Sequence, residues 1–439
     1  VASTVVQAIQ GDPSPGFFRF LLHFFYDSVW ALAFLVCSPW WITRGLFDAR
    51  FRKLSIQRTF GRLPPRRVPG GRERILIHGV SVGEIKAAKP LIEALERDYE
   101  IVLSTTTDTG MAVAAQLYPR HALVRFPLDF SPLVQRLLGG VDPCLIVLVE
   151  LELWPSFLRV ANRRRIPIAV VNGRITERSF PRYRLFKPLL PQFTRISLFC
   201  AQDEEYAARF RALGAAPERV IVTGNIKADG LRTGERERKP ELTALLAPKG
   251  RGPTLVAGST HAPEERLIIE AWRSQVPDAR LILVPRHPAR AEELERELPE
   301  LQRLTRLRAG EKPDPSRPVL VDTIGELEAV YALADLVIVG GSFLQHGGQN
   351  MLEPAAQGKP CVYGPHVGNF LQESALLERV GAAVRVAGAA ELGPVLGALL
   401  ADQQRMQAMG ESGMQAVETQ KGASARTLEA LRQVFLANL

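Results

Sequence analysis

Cysteine is scarce: Cys37, Cys144, Cys200 and Cys361 stand far apart in 439 residues and form no CxxC pair. That spacing argues against a disulfide framework and a cysteine zinc site, and reads as buried, reduced thiols. The chain has no GxGxxG fingerprint and no GxxxxGK[ST] loop, so the common dinucleotide and NTPase readings lack support. No Asp-x-Asp metal motif is present either, and no metal site is expected. Acidic residues are fewer than basic ones, 46 against 55, for a net charge of +9. The excess is local: between Arg44 and Arg74 ten Lys/Arg face only Asp48 and Glu73, a surplus of +8. A concentrated basic stretch points to an anionic surface, either nucleic acid or a membrane leaflet.

Long apolar runs are also missing. The segment 17–42 is rich in Phe and Trp, but Arg19, His23 and Asp27 interrupt it. Its clean apolar part, Val29 to Ile42, is shorter than the roughly 20 residues a spanning helix needs. It reads as an interfacial helix or a tilted span, with a buried amphipathic helix as the alternative. No small-residue cleavage site follows, which disfavours a signal peptide. Trp30, Trp40 and Trp41 suit a headgroup-level position, and the basic stretch follows at once. An anionic leaflet therefore fits better than nucleic acid, for which no binding motif is found. The positive-inside rule then puts the rest of the chain in the cytoplasm.

What is present is regular. A chain of this length exceeds one ordinary core. After residue 74, short β-branched runs alternate with helical stretches, predicting parallel sheets covered by helices. Strands are expected at 75–78, 101–104, 123–126, 145–149, 168–171, 198–201 and 220–223. A Gly/Pro/charge-rich stretch at 227–253 reads as the linker region. Six more strands follow, at 254–257, 281–284, 319–321, 336–339, 361–363 and 383–386, and then two helices at 401–420 and 423–436. Two such α/β units are expected to face one another across a cleft at the carboxyl ends of their strands, where open sheets bind ligands.

Polar residues gather at those ends. In HGVSVGE (78–84), Ser81 and Glu84 have capping-box spacing, and Gly83 helps form a tight turn. A carboxylate there could also be a general base. In VELELWPS (149–156), Glu150 and Glu152 would share one face if the strand continued. In 172–187 arginines alternate with aromatics, and Arg174, Arg178, Arg182 and Arg184 would suit an amphipathic anion such as a phosphorylated glycolipid. In the second half, Ser259 and Thr260 open a helix, Arg286 and His287 end a strand, and Gly341, Ser342, Gly347, Gly348 and Asn350 form a loop whose backbone can approach a phosphate. Glu353, one turn into the following helix, could accept from a ribose diol.

Ten segments in this order resemble the bacterial Kdo (3-deoxy-D-manno-octulosonic acid) transferases: HGVSVGE, STTTDTG, FPLDF, VELELWPS, VVNGRITERS, VTGNIKAD, AGSTHAPEE, VPRHP, GELEAVYALADLVIVGGS and GGQNMLEPAAQGKP. The resemblance implies an α/β fold of the glycosyltransferase-B type, two Rossmann-like domains behind an N-terminal membrane-associated helix. The expected parts are a membrane-associated segment at 1–60, an acceptor domain at 61–230, a nucleotide-sugar domain at 231–422, and a final helix at 423–439 packing back on the acceptor domain. It implies inverting transfer of Kdo from CMP-Kdo to a lipid A precursor, without a cofactor, at the inner membrane. The alternative is a transferase of the same architecture using another nucleotide-sugar. Glu84 matches the family's base, and Glu150 or Glu152 a further acid. Ser81, Gly83, Arg174 and Arg178 fall on the acceptor side. Ser259, Thr260, Lys227, Arg286, His287, Gly341, Ser342, Gly347, Gly348, Asn350 and Glu353 fall on the CMP side. Three departures stand out: Gln349 where the family often has His, Ala228 where an aromatic is common, and Gln345-His346 where a Pro-basic pair is commoner.

Overall fold

A computed structural model describes residues 17–65, 70–177, 179–187, 192–247 and 252–436. The chain divides into two compact units, Val1–Gly230 with Lys421–Leu439, and Leu231–Gln420.

The first unit carries a seven-stranded, all-parallel sheet. Its strands are β1 Arg74–His78, β2 Glu100–Thr105, β3 Ala122–Arg125, β4 Leu145–Val149, β5 Ile168–Gly173, β6 Leu198–Ala201 and β7 Val220–Val222. They are ordered β3-β2-β1-β4-β5-β6-β7. β1 and β4 are buried along their whole length, as expected of strands covered by helices on both faces. Two apolar clusters fill those faces, one around Leu76, Ile146 and Phe199, the other around Ile77, Val147 and Cys200. The order reverses between β1 and β4, which are hydrogen-bonded neighbours although a whole βαβα stretch separates them in sequence. Loops leaving the carboxyl ends of strands at such a reversal are forced apart, opening a crevice.

The second unit repeats the plan with β8 Thr254–Thr260, β9 Arg280–Pro285, β10 Gln302–Arg303, β11 Val319–Leu320, β12 Leu336–Val339, β13 Cys361–Tyr363 and β14 Ala383–Arg385. Their order is β10-β11-β9-β8-β12-β13-β14, so the reversal falls between β8 and β12.

The sequence-predicted strands are all present. The added strand, β10, is only two residues long and carries no apolar run to betray it. The C-terminal helix Ala423–Leu431 belongs to the first unit: Asp229 accepts from the amides of Gly422 (2.6 Å) and Ser424, and Thr427 donates to Thr223 (3.0 Å).

The N-terminal segment is one helix, Phe17–Phe47. One side of it is docked. Tyr26 donates to Asp129 (3.0 Å), Asp27 pairs with Arg159 (2.7 Å), and Phe34 packs on Phe130 (5.6 Å between ring centroids). Asp129 also accepts the amides of Ser156 (3.0 Å) and Phe157 (2.8 Å), the first turn of the helix Pro155–Arg163. The charge of Asp27 that interrupts the apolar run is thus the helix's polar grip on the sheet unit. The opposite side shows Phe24, Phe25, Leu32, Leu35 and Val36 to solvent. The stretch Phe24–Phe47 is long and apolar enough to cross a membrane by length and composition. Cys37 corrects the expectation of four buried thiols: it is exposed on this helix, while Cys200 and Cys361 are buried and Cys144 is half-buried.

Candidate active site

At the reversal of the first sheet, β1 runs into HGVSVGE and β4 into VELELWPS. Ser81 caps the short helix Val82–Ala87, accepting from the Glu84 amide at 3.3 Å. Glu84 returns the favour through both carboxylate oxygens, taking the Ser81 hydroxyl (2.7 Å) and the Val80 amide (2.7 Å). Cap and buried acid are therefore one arrangement, not rival readings of these residues. Thr105 and Thr107 both donate to the Val80 carbonyl (3.1 and 3.0 Å), so the STTTDTG segment fixes the loop that carries Glu84. His78, by contrast, is wholly buried and stacked on Phe126 at 4.2 Å. Burial drives its pKa down to about 3, and it stays neutral.

The expectation that Glu150 and Glu152 extend one strand face is corrected. β4 ends at Val149, and Glu150 adopts φ +65°, a left-handed conformation that non-glycine residues rarely hold. That turn points Glu150 at two cations: Lys227 Nζ lies 2.6 Å from one oxygen and Arg174 Nε 2.9 Å from the other. Burial works against its charge, but the two cations win and hold its carboxyl below the usual range. Lys227, expected on the CMP side, is here the partner of Glu150. Asn172 and Ser259 hold positive φ as well (+55° and +57°), at the ends of β5 and β8. Left-handed non-glycine residues at several strand ends mark backbone held in place by its surroundings, a feature common at functional sites.

Glu152 accepts from Trp154 Nε1 at 2.9 Å. Its pKa is pushed up to about 7, by burial first and then by the charge of Glu84. Glu84 is raised too, mainly by burial, with a contribution from Glu150. Three carboxyl groups in one electrostatic neighbourhood thus divide their roles. Lys227 and Arg174 favour the anionic form of Glu150, while burial shifts both Glu84 and Glu152 toward their protonated forms. Gly83 lies inside the short helix, and Arg178 lies outside the described residues.

In the second unit the loops after β8 and β12 are tied by an acid that sequence reasoning passed over. Glu264 is fully buried and accepts the amides of His261 (2.9 Å), Gly341 (2.7 Å) and Phe343 (2.9 Å). Ser342 is buried as well, donating to Val339 and accepting from Gly364. The idea that amides around Ser342 receive a phosphate is therefore revised: the Gly341 amide is already taken, and these residues shape the loop. Thr260 likewise turns inward, to Glu265 at 2.8 Å, which also takes Arg290 at 2.9 Å. The remaining candidates stay on or near the surface. Arg286 and His287 are exposed, and Ser259, Gly347, Asn350 and Glu353 are half-buried. Gly347 and Gly348 hold φ of +85° and +81°, a conformation that favours glycine, and Gly348 donates back to the Gly341 carbonyl (2.7 Å). The helix expected to begin at Asn350 begins at Leu352, whose amide Asn350 Oδ1 accepts (3.1 Å). Asn350 Nδ2 in turn donates to Glu353 (3.1 Å). Two adjacent acids at a helix start, 264 and 265, were the available sign of the loop tie. They look like ordinary helix-start acids because burial is invisible in sequence.

Comparisons with known proteins agree with this layout. Residues 54–230 match the family model described as 3-Deoxy-D-manno-octulosonic-acid transferase (kdotransferase). The chain is 33% identical over 379 residues to 3-deoxy-D-manno-octulosonic acid transferase of Haemophilus influenzae, covering 83% of this chain and 88% of that one. It is 34% identical over 380 residues to the enzyme of the same name from Bordetella pertussis, covering 81% and 86%. Among solved structures, the UDP complex of S. aureus MnaA superposes with a TM-score of 0.58 at 14% identity, over 84% of this chain and 97% of that one. At that identity the likeness concerns fold alone.

Proposed function

The chain belongs to the 3-deoxy-D-manno-octulosonic acid transferase family, a glycosyltransferase of the B-type fold, and from that premise we propose that it moves Kdo from CMP-Kdo to a hydroxyl of a lipid A precursor with inversion. The observation that carries the mechanism is the placement of Glu84. It is a buried acid with a raised pKa, held by its own helix cap at the sheet reversal beside an anion already neutralised by Lys227 and Arg174.

The acceptor hydroxyl gives its proton to Glu84 as its oxygen attacks the anomeric carbon. The new C–O bond forms as the bond from that carbon to the phosphate oxygen breaks, and CMP leaves with the electron pair. Glu150 does not touch reacting atoms in this scheme. It positions Lys227 and Arg174, which meet the anionic acceptor. Charge developing on the leaving phosphate is met in the second unit by Arg286 and the 347–350 loop. Nucleotide preference tests the donor. CMP should raise the melting temperature of the protein by more than UDP at equal concentration. A shift with UDP and none with CMP would move the assignment to another nucleotide-sugar.

The N-terminal helix is proposed to lie on the cytoplasmic face of the inner membrane, with its undocked apolar side in the lipid and the basic stretch against anionic headgroups. Leu35 and Val36 are 72% and 67% exposed, so replacing both by Asp leaves the docked side intact. The double variant should fail to float with anionic vesicles that carry the wild type. Flotation equal to wild type would refute the attachment.

A further inference from the structure

Three loops of the second unit bring three histidines together. His261 follows β8, His287 follows β9 and His346 follows β12. The rings of His261 and His346 are stacked, 4.4 Å between centroids and 20° between planes, and His287 stands edge-on to His261 at 5.8 Å and 84°. His287 and His346 are exposed and His261 is half-buried, so the cluster is open to a ligand. Among the described residues no group of three or more His, Cys, Asp or Glu side chains is placed to hold a metal ion.

The charges around it are arranged for an anion. Arg286 adds a cation beside the rings. The two nearby acids are already engaged: Glu264 takes three backbone amides, and Glu265 takes Thr260 and Arg290. Gln349 Nε2 lies 3.1 Å from His261 Nε2. With the amide so oriented it donates to a neutral ring. Rotation of the amide presents its oxygen, which accepts from the protonated ring. Without a ligand, burial first and then the repulsion of His346, His287 and Arg286 keep the His261 pKa below its ordinary value. A bound anion reverses the balance, because it stabilises the charged form of every ring it faces.

We propose that His261, His287 and His346 form a proton-charged subsite that takes an anionic oxygen group of the nucleotide sugar, its phosphodiester or its carboxylate, and couples donor binding to proton uptake. The proposal rests on the reading of Leu231–Gln420 as the donor unit.

The sign follows from linkage. Binding favours the protonated rings, so affinity rises as pH falls through the ligand-bound pKa and levels off below the free one. The test is calorimetric titration of the full chain with CMP and with CMP-Kdo, between about pH 6 and pH 8, in buffers of different ionisation enthalpy. Wild type should take up more protons per ligand than His346→Gln or His261→Gln, and its affinity should tighten several-fold per pH unit on acidification. The phosphomonoester of CMP titrates near pH ~6 and the phosphodiester of CMP-Kdo does not, so for each ligand the histidines are reported by the difference between wild type and variants. Extra uptake with CMP assigns the phosphate; extra uptake confined to CMP-Kdo assigns the carboxylate. Equal uptake and equal pH slopes in wild type and both variants overturn the proposal. If neither ligand binds at any pH, the donor-unit reading fails instead.

Discussion

Glu84→Gln should lose turnover by about 10²- to 10⁴-fold, the usual range for removing a general base, while keeping CMP affinity unchanged. The substitution preserves shape and the half of the cap that Ser81 provides. One cap bond is lost, since the new NH2 cannot accept from Ser81 or Val80, at a cost of about 1 kcal/mol. Removing a desolvated charge that repels Glu152 offsets part of that, so the fold should survive. The pH profile carries a second signature. Burial raises the Glu84 pKa, and Glu150 raises it further against the opposing hydrogen bonds and Lys227. A base works only when deprotonated, so kcat/KM should fall, as pH is lowered, at a pH above the ordinary glutamate value. Glu152, its pKa pushed up to about 7 by burial and by the charge of Glu84, loses its repulsion of Glu84 once it is protonated. Wild-type turnover in Glu84→Gln would remove the base from the mechanism.

Glu150→Ala should destabilise the first unit by about 2 kcal/mol or more in denaturant unfolding and lower activity together with stability. Glu150 is the common acceptor of Lys227 and Arg174, and deleting it leaves two half-buried cations without their shared anion. Breaking a fully buried pair costs roughly 3–5 kcal/mol; partial exposure of the two cations to solvent reduces that figure. The pH profile separates the electrostatic role from mere packing. With the Glu150 charge gone and Lys227 released toward Glu84, the Glu84 pKa drops, so the acid side of the activity profile moves to lower pH. An unchanged unfolding midpoint with an unchanged acid limb would show that the cluster neither holds the strand end nor tunes the base.

The parts of this picture that could be read from sequence are those that depend on local chemistry. Runs such as Leu145–Val149 and Leu336–Val339 are short, rich in β-branched residues and bounded by acids or turn-forming Pro and Gly, so their limits coincide with the strands found. Ser81 and Glu84 announce a cap by spacing alone. Adjacency across the sheet is a different matter. That β1 lies beside β4, and β8 beside β12, is decided by packing of whole βαβ units, yet it is what brings Glu84 near Glu150 and His261 near His346. Glu150 and Glu152 do not share a strand face because Glu150 turns left-handed toward Arg174 and Lys227, and those partners lie 24 and 77 residues away. Asp27 looked like a flaw in an apolar helix because Arg159, which explains it, is 132 residues distant.

Mass spectrometry of the lipid, after incubation of the purified protein with CMP-Kdo and a tetra-acylated disaccharide bisphosphate, addresses the enzymatic assignment without intermediaries. The expected spectrum shows the acceptor heavier by one or more octulosonic acid residues with wild type, and unaltered acceptor with Glu84→Gln. An acceptor left unmodified by folded, CMP-binding wild-type protein, or modified equally by the Glu84→Gln variant, would contradict it.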